Sequence, residues 1–221
     1  MRLPGLGGWH EDPLWSYVYP WLVEHERLGG PAWRLGTGSD LALMREAAAE
    51  IGTLPRGARV LDVPTGSGVA LRGLRPGQGI DYVAADISAT MLGRARAAAT
   101  RLGVADQVTT ALADVGALPF ADASFDLVVS LTGLHCFPDP RRAIDEMVRV
   151  LAPGAAITGS SLFTDTGARY EPLRWVGTRA GVLGPMCTSV EAVTWLRDAG
   201  CRDVDLTLNG GIGYFRAVRG A

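Results

Sequence analysis

The chain contains no lysine, and all 21 of its basic residues are arginine. Schiff-base chemistry, a lysine general base and a lysine phosphate clamp are therefore excluded. The exclusive use of arginine is typical of a GC-rich genome and needs no functional explanation. The formal net charge of -2 offers no basic face for a polyanion, so we expect no nucleic-acid partner.

Cysteine is also scarce, and long hydrophobic runs are missing. Cys136, Cys187 and Cys201 lie far apart without a CxxC pair, so we expect neither a disulfide framework nor a metal site. No apolar run is long enough to span a bilayer, and the N-terminus lacks the apolar stretch of a signal peptide. We therefore expect a cytoplasmic protein, monomeric or homodimeric, that does not bind membranes.

Strand patterns alternate with helix patterns from residue 59 onward. The predicted strands are 59–63, 80–85, 108–113, 125–131, 156–162, 204–208 and 214–218. The predicted helices are 40–51 with Ser39 as N-cap, 69–74, 89–102, 140–151, 169–179 and 189–200. Asn209-Gly210-Gly211 predicts a hairpin between the last two strands. This order predicts an α/β fold with a doubly wound, mostly parallel sheet.

Polar residues and glycines follow the first four of these strands. In chain order they are Asp62 with Gly66 and Gly68, then Asp86, Asp114 and Ser130. A single aspartate at a strand end is more often a cap or turn residue than a ligand contact. Four such signals in succession predict a nucleoside-sized cleft, because ligands of parallel sheets bind at the carboxyl ends of the strands. A carboxylate there can accept hydrogen bonds from both hydroxyls of a ribose.

A dinucleotide-binding enzyme is the alternative for such a strand–turn–helix unit. Its fingerprint has three glycines, G-x-G-x-x-G, but the segment that starts at Gly66 ends in Leu71. A hydride-transfer enzyme also usually carries a larger second domain, for which this chain has no room. The dinucleotide alternative therefore fits the sequence less well.

The run from about Val60 to Gly154 resembles the class I S-adenosylmethionine-dependent methyltransferases of the small-molecule type. The matching segments are 60–68, 86–92, 113–126 and 149–154. The resemblance implies a Rossmann-like sheet of seven strands with a reversed last strand. It also implies S-adenosyl-L-methionine as cofactor and S-adenosyl-L-homocysteine as product.

The resemblance further implies which residues border the cofactor. These are Asp62, Pro64, Gly66, Gly68 and Ser130 at the methionine end, Asp86 at the ribose, and Ile87, Met91, Asp114 and Val115 at the adenine. Pro64 stands where the family has its first glycine. Proline keeps the carbonyl that is expected to meet the cofactor's ammonium group, so binding can survive this departure.

The catalytic residues are less well specified. The candidate bases are His135 and His10, followed by Asp12 and His25. Many relatives carry two adjacent histidines where this chain has His135 and then Cys136. The apolar neighbours of His135 favour a structural histidine that is bonded to the backbone over a catalytic one.

Two segments are expected to cover the acceptor side of the cleft. Residues 1–38 form a predicted N-terminal lid before a methyltransferase domain at 39–221, and 164–187 form a predicted cap insert. In the lid, Trp15, Tyr17, Tyr19 and Trp21 alternate and would share one face of an extended segment; packing of the segment on the sheet edge is the alternative. In the insert, Arg174 and Trp175, beside Arg169 and Tyr170, are candidate substrate contacts.

These observations predict transfer of a methyl group to oxygen or nitrogen of a small, largely apolar acceptor, in specialised metabolism. One alternative is an enzyme that binds S-adenosyl-L-methionine without consuming it and catalyses another reaction, such as a cyclisation. A second alternative is a non-catalytic partner that retains the fold. Intact Asp86 and Asp114 argue against the second, because a protein that no longer binds the cofactor has no need of them.

Overall fold

The computed structural model describes residues 26–221, and its centre is one sheet of seven strands. The strands are β1 (Arg59–Asp62), β2 (Asp81–Asp86), β3 (Val108–Leu112), β4 (Phe125–Ser130), β5 (Leu151–Leu162), β6 (Cys201–Asn209) and β7 (Ile212–Arg219). Their order is β3-β2-β1-β4-β5-β7-β6, and β7 runs antiparallel to both of its neighbours. The predicted mostly parallel sheet with a reversed last strand is confirmed.

Helices cover both faces of the sheet. They are α1 (Glu26–Thr37), α2 (Leu41–Ala49), α3 (Ala89–Leu102), α4 (Pro140–Val150), α5 (Glu171–Arg179) and α6 (Ser189–Asp198). One hydrophobic cluster joins α4 and α6 to the face that carries Leu61 and Val128. A second joins α1, α2 and α3 to the face that carries Val60 and Leu127. Because both faces are buried, the central strands are apolar at nearly every position.

Several helix starts follow from capping side chains that the sequence contains. The Ser88 hydroxyl accepts a hydrogen bond from the Met91 N–H and caps α3. Thr188 and Glu191 form a capping box at the start of α6, in which each side chain bonds the backbone N–H of the other residue. These caps set the points at which the chain leaves the sheet edge and turns into each helix.

The start of α2 differs from the prediction by one residue. Asp40, not Ser39, is the N-cap, and its carboxylate accepts a hydrogen bond from the Ala42 N–H at 3.0 Å. The Ser39 hydroxyl instead lies 2.9 Å from the hydroxyl of Tyr214 on β7. Serine and aspartate are both good N-cap residues, and the contact of Ser39 with Tyr214 leaves Asp40 as the cap.

The segment 69–74, predicted as a helix after β1, forms a single 3-10 turn at Ala70–Gly73. Gly73 packs so closely on α2 that a Cβ atom there would lie 1.9 Å from the carbonyl oxygen of Ala48. Pro76 follows soon after and opposes any continuation of the helix. The segment is thus confined between α2 and the sheet.

The start of β5 is also earlier than predicted. The strand begins at Leu151, directly after α4, and passes through the segment 152–154 that was expected to separate helix from strand. A register shift against β4 between Phe125 and Leu127 accommodates this extra length.

Within residues 26–221, none of the helices combines the length and the hydrophobicity needed to cross a membrane. The same part of the chain contains no group of three or more His, Cys, Asp or Glu side chains arranged to hold a metal ion.

Candidate active site

Asp62 lies at the end of β1 and is almost completely buried. Its Oδ2 atom accepts hydrogen bonds from the Thr65 hydroxyl at 2.6 Å and from the Tyr82 hydroxyl at 2.7 Å. Burial raises the pKa of Asp62 to about 7, and the two hydrogen bonds oppose that rise. The carboxyl group is therefore poised between its neutral and charged forms, so a nearby ligand cation would favour the charged form.

Asp86, at the end of β2, connects two strand ends. Its Oδ2 accepts from the backbone N–H of Gly66 and its Oδ1 from that of Ser88, both at 2.9 Å. Burial raises the pKa of Asp86, and these backbone hydrogen bonds oppose the rise. A carboxylate has about four lone-pair sites. Two are in use, so Asp86 keeps the capacity to accept from the hydroxyls of a ribose.

The two glycines of the turn after β1 have different roles. Gly66 has a φ of +52°, and no atom lies within 4 Å of the place where a Cβ would stand. Gly68 has a φ of +88°, and a Cβ there would lie 2.7 Å from Cδ1 of Leu71. Gly68 is therefore favoured by its positive φ and by close packing, whereas Gly66 borders open space beside the Asp86 carboxylate. That space is where a ligand can approach the backbone.

Two buried hydroxyl groups in this region have no hydrogen-bond partner among the described residues. They belong to Ser67, in the turn after β1, and to Ser130, at the end of β4. A buried hydroxyl left unpaired costs about 1–3 kcal/mol, so such groups are usually satisfied by a ligand or by water. Polar hydroxyls, a buried carboxylate and an open glycine together fit an adenosyl amino acid with a positive charge.

The segment after β4 packs directly on the turn after β1. A Cβ at Gly133 would lie 2.5 Å from Oγ of Ser130 and 2.7 Å from Cδ of Pro64. Glycine is therefore needed at this position for the two loops to meet. The contact brings Ser130 and Pro64, both predicted at the methionine end of the cofactor, to the same place.

The residues predicted near the adenine differ in exposure. Met91 and Val115 are buried, whereas the side chain of Ile87 is 45% exposed. Asp114 is exposed, and its Oδ1 accepts from the Gly116 N–H at 2.8 Å within its own turn. The Ala113 N–H donates to the carbonyl of Asp86 at 3.0 Å, which places Asp114 next to the end of β2. Asp86 and Asp114, which are far apart in sequence, therefore lie close together at one edge of the sheet.

His135 lies in a 3-10 turn, Leu134–Cys136, after β4. Its Nδ1 accepts a hydrogen bond from the backbone N–H of Leu162 at 3.0 Å and lies 3.2 Å from Oγ of Ser161. Burial lowers the pKa of His135 to about 4. The expected bond to the backbone is present, and a role in catalysis stays a prediction.

Arg174, on α5 of the insert, is buried and directed inward. Its guanidinium donates to the carbonyls of Phe163 and Gly167, at 3.1 and 3.0 Å, and to Oε1 of Glu171 at 2.8 Å. These bonds hold the insert together, which is not the substrate-facing orientation expected from the sequence. Trp175 is 60% exposed and has the guanidinium of Arg179 above its ring at 4.7 Å. Trp175 is thus the member of the predicted substrate pair that faces outward.

Seven of the predicted site residues lie outside the described residues. They are His10, Asp12, Trp15, Tyr17, Tyr19, Trp21 and His25. Of the predicted lid at 1–38, the structure describes α1, whose Trp33 is buried in the second hydrophobic cluster. The lid and its aromatic face therefore stay predictions.

Tyr82, Thr65 and Ser67 belong to the site although the sequence did not predict them there. The position of Tyr82 follows from the strand register, which the structure supplies: Val60 pairs with Tyr82 and Asp62 pairs with Ala84 in parallel strands. Residues two apart on a strand share a face. The tyrosine on β2 therefore lies on the same side of the sheet as the carboxylate on β1.

Comparison with known sequences agrees with this geometry. A family model described as a methyltransferase domain matches residues 61–158. The demethylmenaquinone methyltransferase of Clavibacter sepedonicus is 39% identical over 123 residues, covering 56% of this chain and 48% of that protein. The ubiquinone/menaquinone biosynthesis C-methyltransferase of Pectobacterium carotovorum is 36% identical over 104 residues, covering 46% and 41%. The chain thus spans about half the length of the curated relatives it matches.

Solved structures share the fold at low sequence identity. The phosphoethanolamine N-methyltransferase 2 of Haemonchus contortus, solved with S-adenosyl-L-methionine, superposes with a TM-score of 0.74 at 17% identity, over 96% of this chain and 60% of that one. The cyclase SpnF superposes with a TM-score of 0.67 at 21% identity, over 82% of each chain. Residues 61–158 thus match a methyltransferase domain, and the described fold is the one that S-adenosylmethionine-dependent methyltransferases share.

Proposed function

We propose that this protein binds S-adenosyl-L-methionine at the ends of β1, β2 and β4 and transfers its methyl group to a small-molecule acceptor. The observation that carries the proposal is the buried Asp86 carboxylate, bonded to the Gly66 N–H at 2.9 Å beside open space at Gly66. This arrangement combines an acceptor for ribose hydroxyls with backbone that a ligand can approach. The unpaired Ser130 hydroxyl supports the placement of the methionine end nearby.

When bound, S-adenosyl-L-methionine supplies a methyl group on a positively charged sulfur. The chain's own residues bind and orient the reactants. Asp86 would hold the ribose, Asp62 and the Pro64 carbonyl would face the ammonium group, and Ser130 would lie beside the methionine. Alignment of this kind can supply roughly 7–11 kcal/mol of the barrier reduction.

The proposed acceptor is a small, largely apolar compound. The net charge of -2 does not favour a nucleic acid, and the exposed Trp175 ring offers a flat apolar surface on the insert. Oxygen and nitrogen are the acceptor atoms expected from the sequence. Carbon is a further possible acceptor atom, because one relative is named as a C-methyltransferase of ubiquinone and menaquinone biosynthesis. An aromatic ring that carries a hydroxyl group offers both oxygen and carbon as acceptor atoms.

A labelling experiment tests the proposal. The protein is incubated with S-adenosyl-L-methionine carrying a labelled methyl group and with 1-naphthol, 1-naphthylamine or 1,4-naphthalenediol. We expect calorimetric binding of the cofactor, labelled small-molecule product and S-adenosyl-L-homocysteine in equal amounts, all reduced in Asp86→Ala. Absence of cofactor binding, or label found only in protein or nucleic acid, would overturn the proposal.

The non-consumptive alternative gives a different outcome in the same experiment. Such an enzyme would bind S-adenosyl-L-methionine and convert a substrate, but S-adenosyl-L-homocysteine would not accumulate in step with product. The cyclase SpnF shares the fold with this chain, and at 21% identity that likeness concerns the fold alone. The ratio of S-adenosyl-L-homocysteine to product separates the two functions.

A further inference from the structure

The position of His135 places it between the cofactor side and the cap insert. Gly133, two residues before it, packs against Ser130 and Pro64. On the other side, the N–H of Gly184 in the insert donates to the carbonyl of His135 at 2.8 Å. A residue held between these two elements lies where the acceptor is expected to meet the methyl group.

The hydrogen bonds of the ring determine its tautomer. The backbone N–H of Leu162 can only donate, so Nδ1 of His135, 3.0 Å away, must accept. A nitrogen that accepts this bond carries no hydrogen, and a neutral imidazole must then carry its hydrogen on Nε2. Ser161 agrees with this assignment, because its hydroxyl can donate either to Nδ1 at 3.2 Å or to the Leu162 carbonyl at 3.2 Å.

The Nε2–H group is the free edge of the ring. No described residue accepts a hydrogen bond from it, and the His135 side chain keeps partial contact with solvent. Protonation of Nδ1 would break the bond to Leu162, and burial, with no charged described residue contributing, lowers the pKa of His135 to about 4. The ring therefore stays neutral near pH 7 and carries a donor, not a base, at Nε2.

We propose that His135 binds an oxygen atom of the methyl acceptor through its Nε2–H group, so that the site selects acceptors with a hydroxyl or carbonyl oxygen. This inference rests on the proposed function and narrows its acceptor class. His135 accepts no proton in this role, and the proton released by the acceptor passes to water. The interaction fixes the orientation of the acceptor relative to the cofactor.

The tautomer is measured in the free protein by nitrogen-15 NMR of the histidine rings. The His135 signals are assigned as those missing from the spectrum of His135→Gln. We expect a neutral ring with hydrogen on Nε2, unchanged between about pH 8 and about pH 5, well below the ordinary histidine pKa of about 6.5. Hydrogen on Nδ1, or titration near the ordinary value, would overturn the inference. This readout does not depend on methyl transfer, so it stays informative even if the proposed function fails.

Two variants separate a donor to the acceptor from a purely structural histidine. In His135→Asn, the short amide can replace Nδ1 toward Leu162 but has no group at the place of Nε2. In His135→Gln, the longer amide can place an N–H close to the position of Nε2. Ser161→Ala is the matched control, since it removes a neighbour of Nδ1 and leaves the donor edge intact.

The readout is the ratio of dissociation constants for 1-methylnaphthalene and 1-naphthol, measured with S-adenosyl-L-homocysteine present. We expect the wild type, Ser161→Ala and His135→Gln to favour 1-naphthol by roughly threefold to tenfold, the range of one neutral hydrogen bond. We expect His135→Asn to lose that preference. A wild type without the preference, or a His135→Asn variant that keeps it, would overturn the inference. Failure of cofactor binding in the wild type would instead count against the proposed function.

Discussion

The hydroxyl group of Tyr82 lies 2.7 Å from Oδ2 of Asp62, and both side chains are removed from solvent. The Thr65 hydroxyl bonds the same oxygen at 2.6 Å. No described cation contributes to the ionisation of Asp62, and burial raises its pKa to about 7. The two neutral hydroxyl donors therefore stabilise the charged form of the Asp62 carboxyl group, but by less than burial destabilises it.

This carboxyl group predicts a dependence of stability on pH. Its pKa rises from 3.8 to about 7 on folding, so between these values the native state binds more protons than the unfolded state. The free energy of unfolding should therefore fall as pH rises through this window, by up to about 1.4 kcal/mol per pH unit from this group. Asp62→Asn should remove that slope in urea unfolding measured across the window. Asp106→Asn, an exposed control, should keep it, and equal slopes in both variants would contradict the assignment.

Cofactor affinity should depend strongly on Asp86. Asp86→Ala removes the proposed acceptor of two ribose hydroxyls, so binding of S-adenosyl-L-methionine should weaken by roughly 2–4 kcal/mol in calorimetry. The variant also loses hydrogen bonds to Gly66 and Ser88, so both proteins are compared at a temperature at which each is folded. Asp106→Ala should bind normally. Near-normal affinity in Asp86→Ala would place the ribose elsewhere.

The fold and the cofactor side could be predicted because their signals are local in sequence. The strand ends at Asp62, Asp86 and Ser130 lie beside one another because parallel strands with right-handed crossovers bring their carboxyl ends to one edge. The Thr188 capping box and the hairpin at Gly210 depend only on residues within a few positions. Interactions between residues so close in sequence do not depend on how the rest of the chain packs.

The remainder depends on contacts between distant residues. The bond from Tyr82 to Asp62 requires the register of β1 against β2, which the sequence does not state directly. The N-cap at Asp40 depends on Tyr214, which bonds Ser39 from the far end of the chain. The inward direction of Arg174 depends on how the insert closes around it. In each case the tertiary packing determines which hydrogen-bond partner the side chain has.

Arg174 should contribute to stability. Arg174→Ala leaves the carbonyls of Phe163 and Gly167 without their donor, so the free energy of unfolding in urea should fall by about 2–4 kcal/mol. Arg174→Lys should recover only part of this loss, because an ammonium group cannot reproduce the planar set of donors. Arg169→Ala, which changes an exposed arginine of the same insert, is the control.

A substrate contact would behave differently from this structural arginine. If Arg174 bound the acceptor directly, Arg174→Ala would raise the acceptor KM and leave the urea midpoint unchanged. Limited proteolysis adds a second measurement, because an insert that has lost these bonds should be cleaved faster within 164–187 than the wild type. Unchanged stability together with unchanged cleavage would contradict the structural role.

The exposed ring of Trp175 gives the last prediction. The side chain is 60% exposed and stacks only with Arg179 among the described contacts, so Trp175→Ala should change stability by less than about 0.5 kcal/mol. If the ring forms part of the acceptor surface, the KM for an aromatic acceptor should rise severalfold while cofactor affinity stays constant. Val190→Ala is a suitable control, because Val190 on α6 is 69% exposed and apolar and lies outside the predicted lid and insert. Trp15→Ala and Trp21→Ala extend the same comparison to the predicted lid, and acceptor KM values that match the Val190 control in all three variants would remove these aromatic residues from the acceptor site.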